Sequence, residues 1–236
     1  MTYTIIGRCA ETGQLGLGIA TYSLGVGGYC PFVKADVAVL SSQAFADPRL
    51  RTVAMRLLEA GNAPAEVLKT LRHHDPHFDY RQVGIVDKNG VAAAWTGPRT
   101  RAWAGQRDGP GWIAMGNVLA GPGVVEAMAQ AWEVNGGVEL HERLLRVLEA
   151  GRDAGGQQNA AGRHLEERSA ALLVHDREEY ALMDLRVDAH LTSVEELRRV
   201  RDAYLPYVDY YEMRIKDPPN TPPQDAWPVR PERSGD

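Results

Sequence analysis

Thr2 directly follows the initiator methionine and begins a segment with the alternation of a β-strand. Small residues in second position commonly permit removal of that methionine, so the mature chain is predicted to begin at Thr2. A terminal threonine carries a hydroxyl nucleophile and an α-amine, with a pKa near ~8, that can accept the hydroxyl proton. This pairing is one of the convergent arrangements that perform acyl transfer. Threonine is also common at this position in ordinary cytoplasmic proteins, so both readings stay open.

Lys34 is the first residue whose charge would assist such a nucleophile. It directly precedes an apolar segment, 35–42, that predicts a buried strand. Beside Thr2, its ammonium group would lower the pKa of the hydroxyl and help to keep the amine neutral. The alternative is a solvated lysine at the end of a strand.

Further polar residues interrupt or end apolar segments, which is where pockets are built: Gln43, Arg81, Gln82, Asn117, Asp184, Arg186 and Asp188. Asn117, or a backbone N–H beside Gly116, is the predicted donor to an oxyanion. Gln43, Arg81 and Arg186 are predicted to orient a substrate, since arginine suits a carboxylate. The alternative is a structural network, such as an ion pair between Arg186 and Asp184 that braces a sheet edge.

Two other kinds of site are weaker. His73, His74 and His77 surround Asp75, and these residue types bind zinc, but their spacing matches no known ligand pattern and favours a polar loop at a helix end. The glycine-rich segments contain no G-x-G-x-x-G between a strand and a helix, which argues against dinucleotide binding. The sequence therefore predicts no metal and no organic cofactor.

Composition excludes several classes of protein. The 236 residues are 44% hydrophobic and 24% charged, with a net charge of −5, which argues against electrostatic binding of nucleic acid or anionic membranes. No apolar run approaches the ~18 residues of a membrane span, and no signal peptide is recognisable. Two cysteines, Cys9 and Cys30, form no disulfide framework. We expect a cytoplasmic protein.

The order of predicted elements is three strands, two helices, about four strands, two helices, two strands and a helix. Blocks of strands separated by helix pairs favour antiparallel sheets with helical hairpins outside them, in the α+β class. The segments 2–9 and 15–21 predict an N-terminal hairpin. From Asp217 onwards six prolines predict an extended tail. We therefore expect one domain over 1–215 and a tail over 216–236.

Several strings of this chain resemble the family known as domain of unknown function 1028 (DUF1028), whose members are similar to N-terminal-nucleophile (Ntn) hydrolases. The strings are MTYTIIGRCAETGQLGLGIAT, SSQAFADP, DYRQVGIVD, TGPRTRAWAG, GNVLAG, SAALLV and DLRVDAH, and they span residues 1 to about 200. The resemblance implies a four-layer αββα sandwich, in which two mostly antiparallel sheets lie between helical layers. The order of elements fits that fold independently.

The resemblance also implies roles for single residues. Thr2 aligns with the nucleophile of an Ntn hydrolase, and Lys34 resembles the lysine that assists a terminal threonine. Thr21 stands where such enzymes carry an aspartate. This sequence departs from the usual family pattern at three positions. Gln157 and Ala189 stand where acidic residues are usual, and Arg168 stands where a glutamine is usual.

The combined prediction is an Ntn-type amide hydrolase acting on a small peptide, an N-acyl compound or a cyclic amide. Thr2, Lys34 and Asn117 are its predicted catalytic residues. The predicted substrate-binding residues are Thr21, Gln43, Arg81, Gln82, Gly116, Asp184, Arg186 and Asp188. The alternative is a non-catalytic small-molecule-binding or structural oligomeric protein on the same fold. The fold class suggests a homodimer, with no nucleic-acid or membrane partner.

Overall fold

The computed structural model describes residues Met1–Trp227. Its strands are β1 (Thr2–Arg8), β2 (Leu15–Thr21), β3 (Pro31–Lys34), β4 (Ala38–Ala44), β5 (Arg81–Asp87), β6 (Ala92–Thr96), β7 (Trp103–Gly109), β8 (Trp112–Leu119), β9 (Gln157–Gln158), β10 (His164–Leu165), β11 (Ser169–His175) and β12 (Met183–Val187). Its helices are α1 (Val26–Tyr29), α2 (Pro48–Glu59), α3 (Pro64–His74), α4 (Pro122–Val134), α5 (Leu140–Asp153), α6 (Ser193–Tyr204) and α7 (Val208–Lys216). This described part divides into two compact units, Met1–Leu197 and a unit that begins at Arg198.

Within those described residues, the strands of the first unit form two antiparallel sheets. The larger, eight-stranded sheet has the order β10-β9-β8-β1-β2-β11-β12, with β7 paired to β8, and the four-stranded sheet has the order β3-β4-β5-β6. Helices α4 and α5 pack on the larger sheet, and α2 and α3 pack on the smaller one. The two sheets face each other through β1, β2, β4, β5 and β8. The predicted αββα sandwich is confirmed.

The predicted N-terminal hairpin lies at the centre of the larger sheet. Strands β1 and β2 pair with Thr2 opposite Thr21, and β8 pairs on the other side of β1 with Asn117 opposite Thr2. A Cβ atom at Gly7 would lie 2.2 Å from Trp132, so the glycine lets α4 press its indole against β1. Because both faces of β1 are covered, its residues Thr2–Gly7 are all buried.

Alternation along each strand separates two apolar cores. In β4, Leu40 faces a core shared with α2 and α3, whereas Val39 faces the core between the sheets. In β1, Ile6 belongs to that second core, and in β8 so does Met115. Since side chains alternate with a period of two, Thr2, Thr4, Gln43 and Asn117 lie on the faces between the sheets.

The second unit begins at Arg198 and contains the end of the described chain. An aromatic cluster joins its helices to each other: Tyr204, Tyr207, Tyr210, Tyr211 and Trp227. The domain over 1–215 remains a prediction. The predicted extended tail instead contains two 3-10 turns, Pro218–Asn220 and Gln224–Ala226. The fixed φ of proline suits the first position of such a turn. Residues 228–236 of the predicted tail lie outside the described residues.

Candidate active site

Thr2 is held at the first position of the central strand, at one end of the sandwich. Its side chain is buried, and its Oγ1 lies 3.2 Å from the Oγ1 of Thr21 on the neighbouring strand. Thr2 Oγ1 donates to the carbonyl oxygen of Met1 at 2.6 Å, and Thr21 Oγ1 donates to the same oxygen. The structure therefore brings together two of the predicted site residues, and both contact the first peptide group of the chain.

The terminal amine of Met1 is enclosed beside them. It donates to Oδ1 of Asn117 at 2.7 Å. Burial lowers the pKa of this amine from 8.0 to about 6; Cys30 opposes the shift, and the positive charge of Arg101 adds to it. At neutral pH an amine in this place is therefore mostly uncharged, as a general base must be.

A chain of buried side-chain amides, Gln43, Gln82 and Asn117, fixes which atom faces the amine; we call these three residues the amide network. Gln82 Nε2 donates to the carbonyl oxygens of Gly116 at 2.9 Å and of Gly105 at 3.1 Å, which can only accept. Gln82 Oε1 consequently accepts from Gln43 Nε2 at 2.8 Å and from Asn117 Nδ2 at 3.0 Å. Asn117 Oδ1 is left to face the amine.

This orientation differs from the role predicted for Asn117. An oxyanion needs a donor, but the Nδ2 of Asn117 donates to Gln82, and the Oδ1 that faces the terminal amine is an acceptor. The carbonyl oxygen of Gly116 likewise accepts from Gln82, and the backbone of Gly116 pairs with Tyr3 and Gly105 in the sheet. Both residues position the N-terminus in this structure.

A cavity of about 440 Å³ opens beside Thr2 and Thr21. Its other walls are mostly apolar or small: Leu24, Val26, Tyr29, Cys30, Ala44, Phe45 and Ala46. This volume lies in the range of small-molecule sites, which are about 300–1,000 Å³. Burial raises the pKa of the Cys30 thiol to about 12, so this wall residue is a neutral thiol at physiological pH.

Arg81 also lines the cavity, but its guanidinium group is already engaged. Its Nε donates to Asp75 at 2.9 Å, Asp47 lies 4.0 Å away, and a terminal nitrogen donates to the carbonyl oxygen of Phe45. The hydrogen bond from Arg49 is the largest cause that lowers the pKa of Asp47 to about 2. Arg81 therefore braces the segment that carries Phe45 and Asp47.

Four other predicted site residues lie away from the cavity. Lys34 forms an ion pair with Glu59 of α2 and does not contact Thr2. Phe32 packs toward α2 and α3 while Val33 faces the other sheet, so alternation directs Lys34 to the helical side. Asp184 and Arg186 form a surface ion pair at 2.6 Å on the edge strand β12. Asp188 is exposed, and its carbonyl oxygen accepts from the N–H of Gly25 at 3.1 Å.

The predicted histidine cluster provides no metal site. Within residues 1–227, no group of three or more His, Cys, Asp or Glu side chains is arranged to hold a metal ion. His73 and His74 lie in the last turn of α3, and His74 Nδ1 contacts the carbonyl oxygen of Thr70 at 2.9 Å. In the same part of the chain, no helix has the length and apolarity needed to span a membrane.

The positions that depart from the family pattern also have structural partners. Gln157 accepts from the N–H of Tyr22 at 2.9 Å and donates to Glu167 at 3.3 Å. Arg168 stacks 4.0 Å from the ring centroid of Tyr22 and donates to its carbonyl oxygen at 2.7 Å. These contacts hold the segment that follows Thr21.

Sequence reasoning missed several residues of this region. Thr4 donates to Gln43 at 2.6 Å, and Thr96 accepts from Gln82 at 2.8 Å, so both belong to the buried polar end of the sandwich. Phe45 and Cys30 line the cavity but were not predicted as site residues. The period of two was the available signal for Thr4, because it is two residues from Thr2 and from Ile6.

Two mostly antiparallel sheets packed between helical layers give this protein the αββα architecture of the Ntn-hydrolase-like fold class. The family model described as "Family of unknown function (DUF1028)" matches residues 2–197, and the chain belongs to this family. The resemblance stated from the sequence is confirmed.

The chain is also similar to several solved structures. The crystal structure of a DUF1028 protein from Silicibacter pomeroyi matches with a TM-score of 0.77 and 28% identity over 86% of this chain and 88% of that one. HslV from Trypanosoma brucei has a TM-score of 0.44 and 9% identity, over 74% of this chain and 99% of that one. Anbu (ancestral beta-subunit) from Yersinia bercovieri has a TM-score of 0.41 and 9% identity, over 94% and 98%. A search of the curated proteins finds no match.

Proposed function

We propose that this protein is an amide hydrolase that uses Thr2 as its nucleophile once Met1 has been removed. The observation that supports this most strongly is the position of the Thr2 hydroxyl, buried on the central strand beside a cavity of about 440 Å³. A small peptide, an N-acyl compound or a cyclic amide is the proposed substrate class. The proposal needs no metal or organic cofactor.

The proposed reaction has two halves. The neutral amine of Thr2 takes the proton of its own hydroxyl while Oγ1 attacks the amide carbon. When the tetrahedral intermediate collapses, the carbon–nitrogen bond breaks, the departing nitrogen receives that proton, and the acyl group remains on Oγ1 as an ester. Water, deprotonated by the same amine, then releases the acid and restores the hydroxyl.

The amide network supports the base in this proposal. Asn117 lies opposite Thr2 in the sheet, and its Oδ1 accepts from the amine of Met1. Once Met1 has been removed, we expect Asn117 Oδ1 to accept from the amine of Thr2 and so to direct the lone pair of that amine toward the hydroxyl. Burial lowers the pKa of the amine of Met1 to about 6, and we expect the same surroundings to depress the pKa of an amine on Thr2. Activity should then fall as the pH drops through that pKa, because the protonated amine cannot accept a proton.

A non-catalytic small-molecule-binding protein is the second candidate. The observation that favours it is the engagement of both threonine hydroxyls with the carbonyl oxygen of Met1. A chain that keeps Met1 has an amide nitrogen on Thr2 and no adjacent base. The homodimer and the cytoplasmic location expected from the sequence remain predictions.

Intact-mass measurement and two substitutions test the hydrolase. Active protein should lack Met1, and amine release from a panel of N-acyl amino acids and small peptides should fall at least about 100-fold in Thr2→Ala. Thr2→Ser is the matched control, because it keeps a hydroxyl and a small second residue, and it should retain activity within about tenfold. Circular dichroism should show both variants folded. Active protein that retains Met1, or unchanged turnover in Thr2→Ala, would refute the proposal.

A further inference from the structure

None of the described residues that line the cavity is aspartate or glutamate. Its one charged lining residue, Arg81, is paired with Asp75. Behind the cavity wall, Arg51 donates to the carbonyl oxygens of Pro31 and Gly28, each at 3.0 Å. The charge of Arg81 is balanced by its carboxylate partner, whereas Arg51 adds positive charge behind the wall, and no carboxylate on the lining would repel an anion.

Arg101 is the guanidinium group that remains available. It lies in the loop between β6 and β7, it is exposed, and within residues 1–227 it forms no ion pair. Its Cζ stands 4.9 Å from the ring centroid of Phe45, which lines the cavity. Its charge also acts on the terminal amine, whose pKa it helps to lower. The contact with Phe45 therefore holds the Arg101 guanidinium group next to a residue of the cavity wall.

The apolar wall of the cavity indicates that the rest of the ligand is apolar. Leu24, Val26, Tyr29 and Phe45 present apolar surface to about 440 Å³. An apolar side chain of a small molecule would remove this surface from water, whereas a second charge would lose hydration without a partner.

We propose that the cavity binds small amides that carry one carboxylate and an apolar side chain, such as N-acylated amino acids, and that Arg101 binds the carboxylate. This substrate class rests on the proposed hydrolase function, but the carboxylate preference is a property of binding. The planar guanidinium can form two parallel hydrogen bonds with a carboxylate, and its contact with Phe45 keeps it oriented for them.

The test measures binding apart from turnover. Isothermal titration calorimetry on Thr2→Ala, which cannot consume the ligand, compares N-acetyl-L-phenylalanine with N-acetyl-L-phenylalaninamide. These probes differ only in the terminal group, which is a charged carboxylate in the first and an uncharged carboxamide in the second. The same pair is then measured with Arg101→Gln and with Arg101→Lys in the same background. Arg56→Gln is the matched control, because Arg56 is exposed on α2, does not line the cavity and carries the same charge.

The acid should bind about tenfold more tightly than the amide, and Arg101→Gln should remove most of this difference. Arg101→Lys should keep part of it, since it retains the charge but not the paired hydrogen bonds. Arg56→Gln should leave it unchanged. Equal binding of the two probes, a preference that survives Arg101→Gln, or no binding of either probe at millimolar concentration would overturn the proposal. Carboxylate-selective binding without hydrolysis by the unsubstituted protein would refute the hydrolase and leave the role of Arg101 standing.

Discussion

Polar residues at the buried end of the sandwich and on the edge strand β12 were predicted as site residues for the same reason, namely that they interrupt or end apolar segments. In the structure the first group is buried and the second is exposed. Gln43, Gln82 and Asn117 are almost completely buried and uncharged, and they bond to one another. Asp184 and Arg186 are charged, and their side chains are 39% and 38% exposed. Both groups lie on strands and both are fully paired.

This difference shows why neutral amides suit the buried end of the sandwich and charged pairs suit the surface. Burying a charge is far more costly than burying an amide, so a water-excluded region favours neutral groups that can both donate and accept. An amide also has direction: once Gln82 donates to backbone carbonyls, the orientation of Asn117 follows. A surface ion pair imposes no comparable order on its neighbours. The buried end is therefore the region that can preorganise an N-terminus.

The largest expected effect comes from breaking the amide network without changing its volume. Gln82→Met leaves the Nδ2 of Asn117, the Nε2 of Gln43 and two backbone carbonyl oxygens without their partner. Unpaired buried groups cost about 1–3 kcal/mol each, and partial relaxation should limit the total loss in free energy of unfolding to about 3 kcal/mol. Urea denaturation monitored by tryptophan fluorescence measures this loss.

Gln158→Met is the control for that substitution. Gln158 is half-buried, and its Nε2 donates to the carbonyl oxygen of Gly162 at 2.8 Å. Because water can replace this bond, we expect a loss of only about 0.5 kcal/mol. A similar loss for the two variants would show that the buried amides do not hold the sandwich together at this end.

Two arginine–aspartate pairs provide the second test of the comparison. The side chains of Arg81 and Asp75 are 12% and 8% exposed, whereas those of Arg186 and Asp184 are three to five times more exposed. Arg81→Met should cost about 2 kcal/mol because it leaves a buried carboxylate unpaired, and Arg186→Met should cost less than about 1 kcal/mol.

Thermal unfolding at low and at high salt checks both values. The loss in Arg186→Met should shrink as salt screens the exposed pair, and the loss in Arg81→Met should persist. The reverse ranking of the two variants would contradict the assignment of Arg81 as a structural residue of the cavity wall.

The sequence supported the fold and part of the site for identifiable reasons. The apolar segment 35–42 predicted a buried strand, and Gln43 directly after it was recognised as unusual. Alternation along β1 and β8 assigns Thr2 and Asn117 to the faces between the sheets. Alternation does not show which strands lie at the centre of a sheet. Arg186 was therefore predicted to bind substrate from its residue type, although it lies on the edge strand β12. The sequence also could not predict which arginine is available to bind a carboxylate. The ion pair of Arg81 with Asp75 and the contact of Arg101 with Phe45 form only in the folded chain.

Substitution of Lys34 is expected to have the smallest effect, because this charged residue lies at the surface and away from the buried polar end. The resemblance to Ntn hydrolases assigned it an assisting role, but its ammonium group pairs with Glu59 on the surface of α2. Hydrogen bonding to Glu59 raises the pKa of Lys34, so the charge is retained but directed away from Thr2. Lys34→Met should therefore leave amine release within about twofold of the unsubstituted protein and the melting temperature unchanged, since exposed pairs contribute little. A large loss of turnover in folded Lys34→Met protein would mean that the lysine reaches the nucleophile during catalysis, and the base would then not be the terminal amine alone.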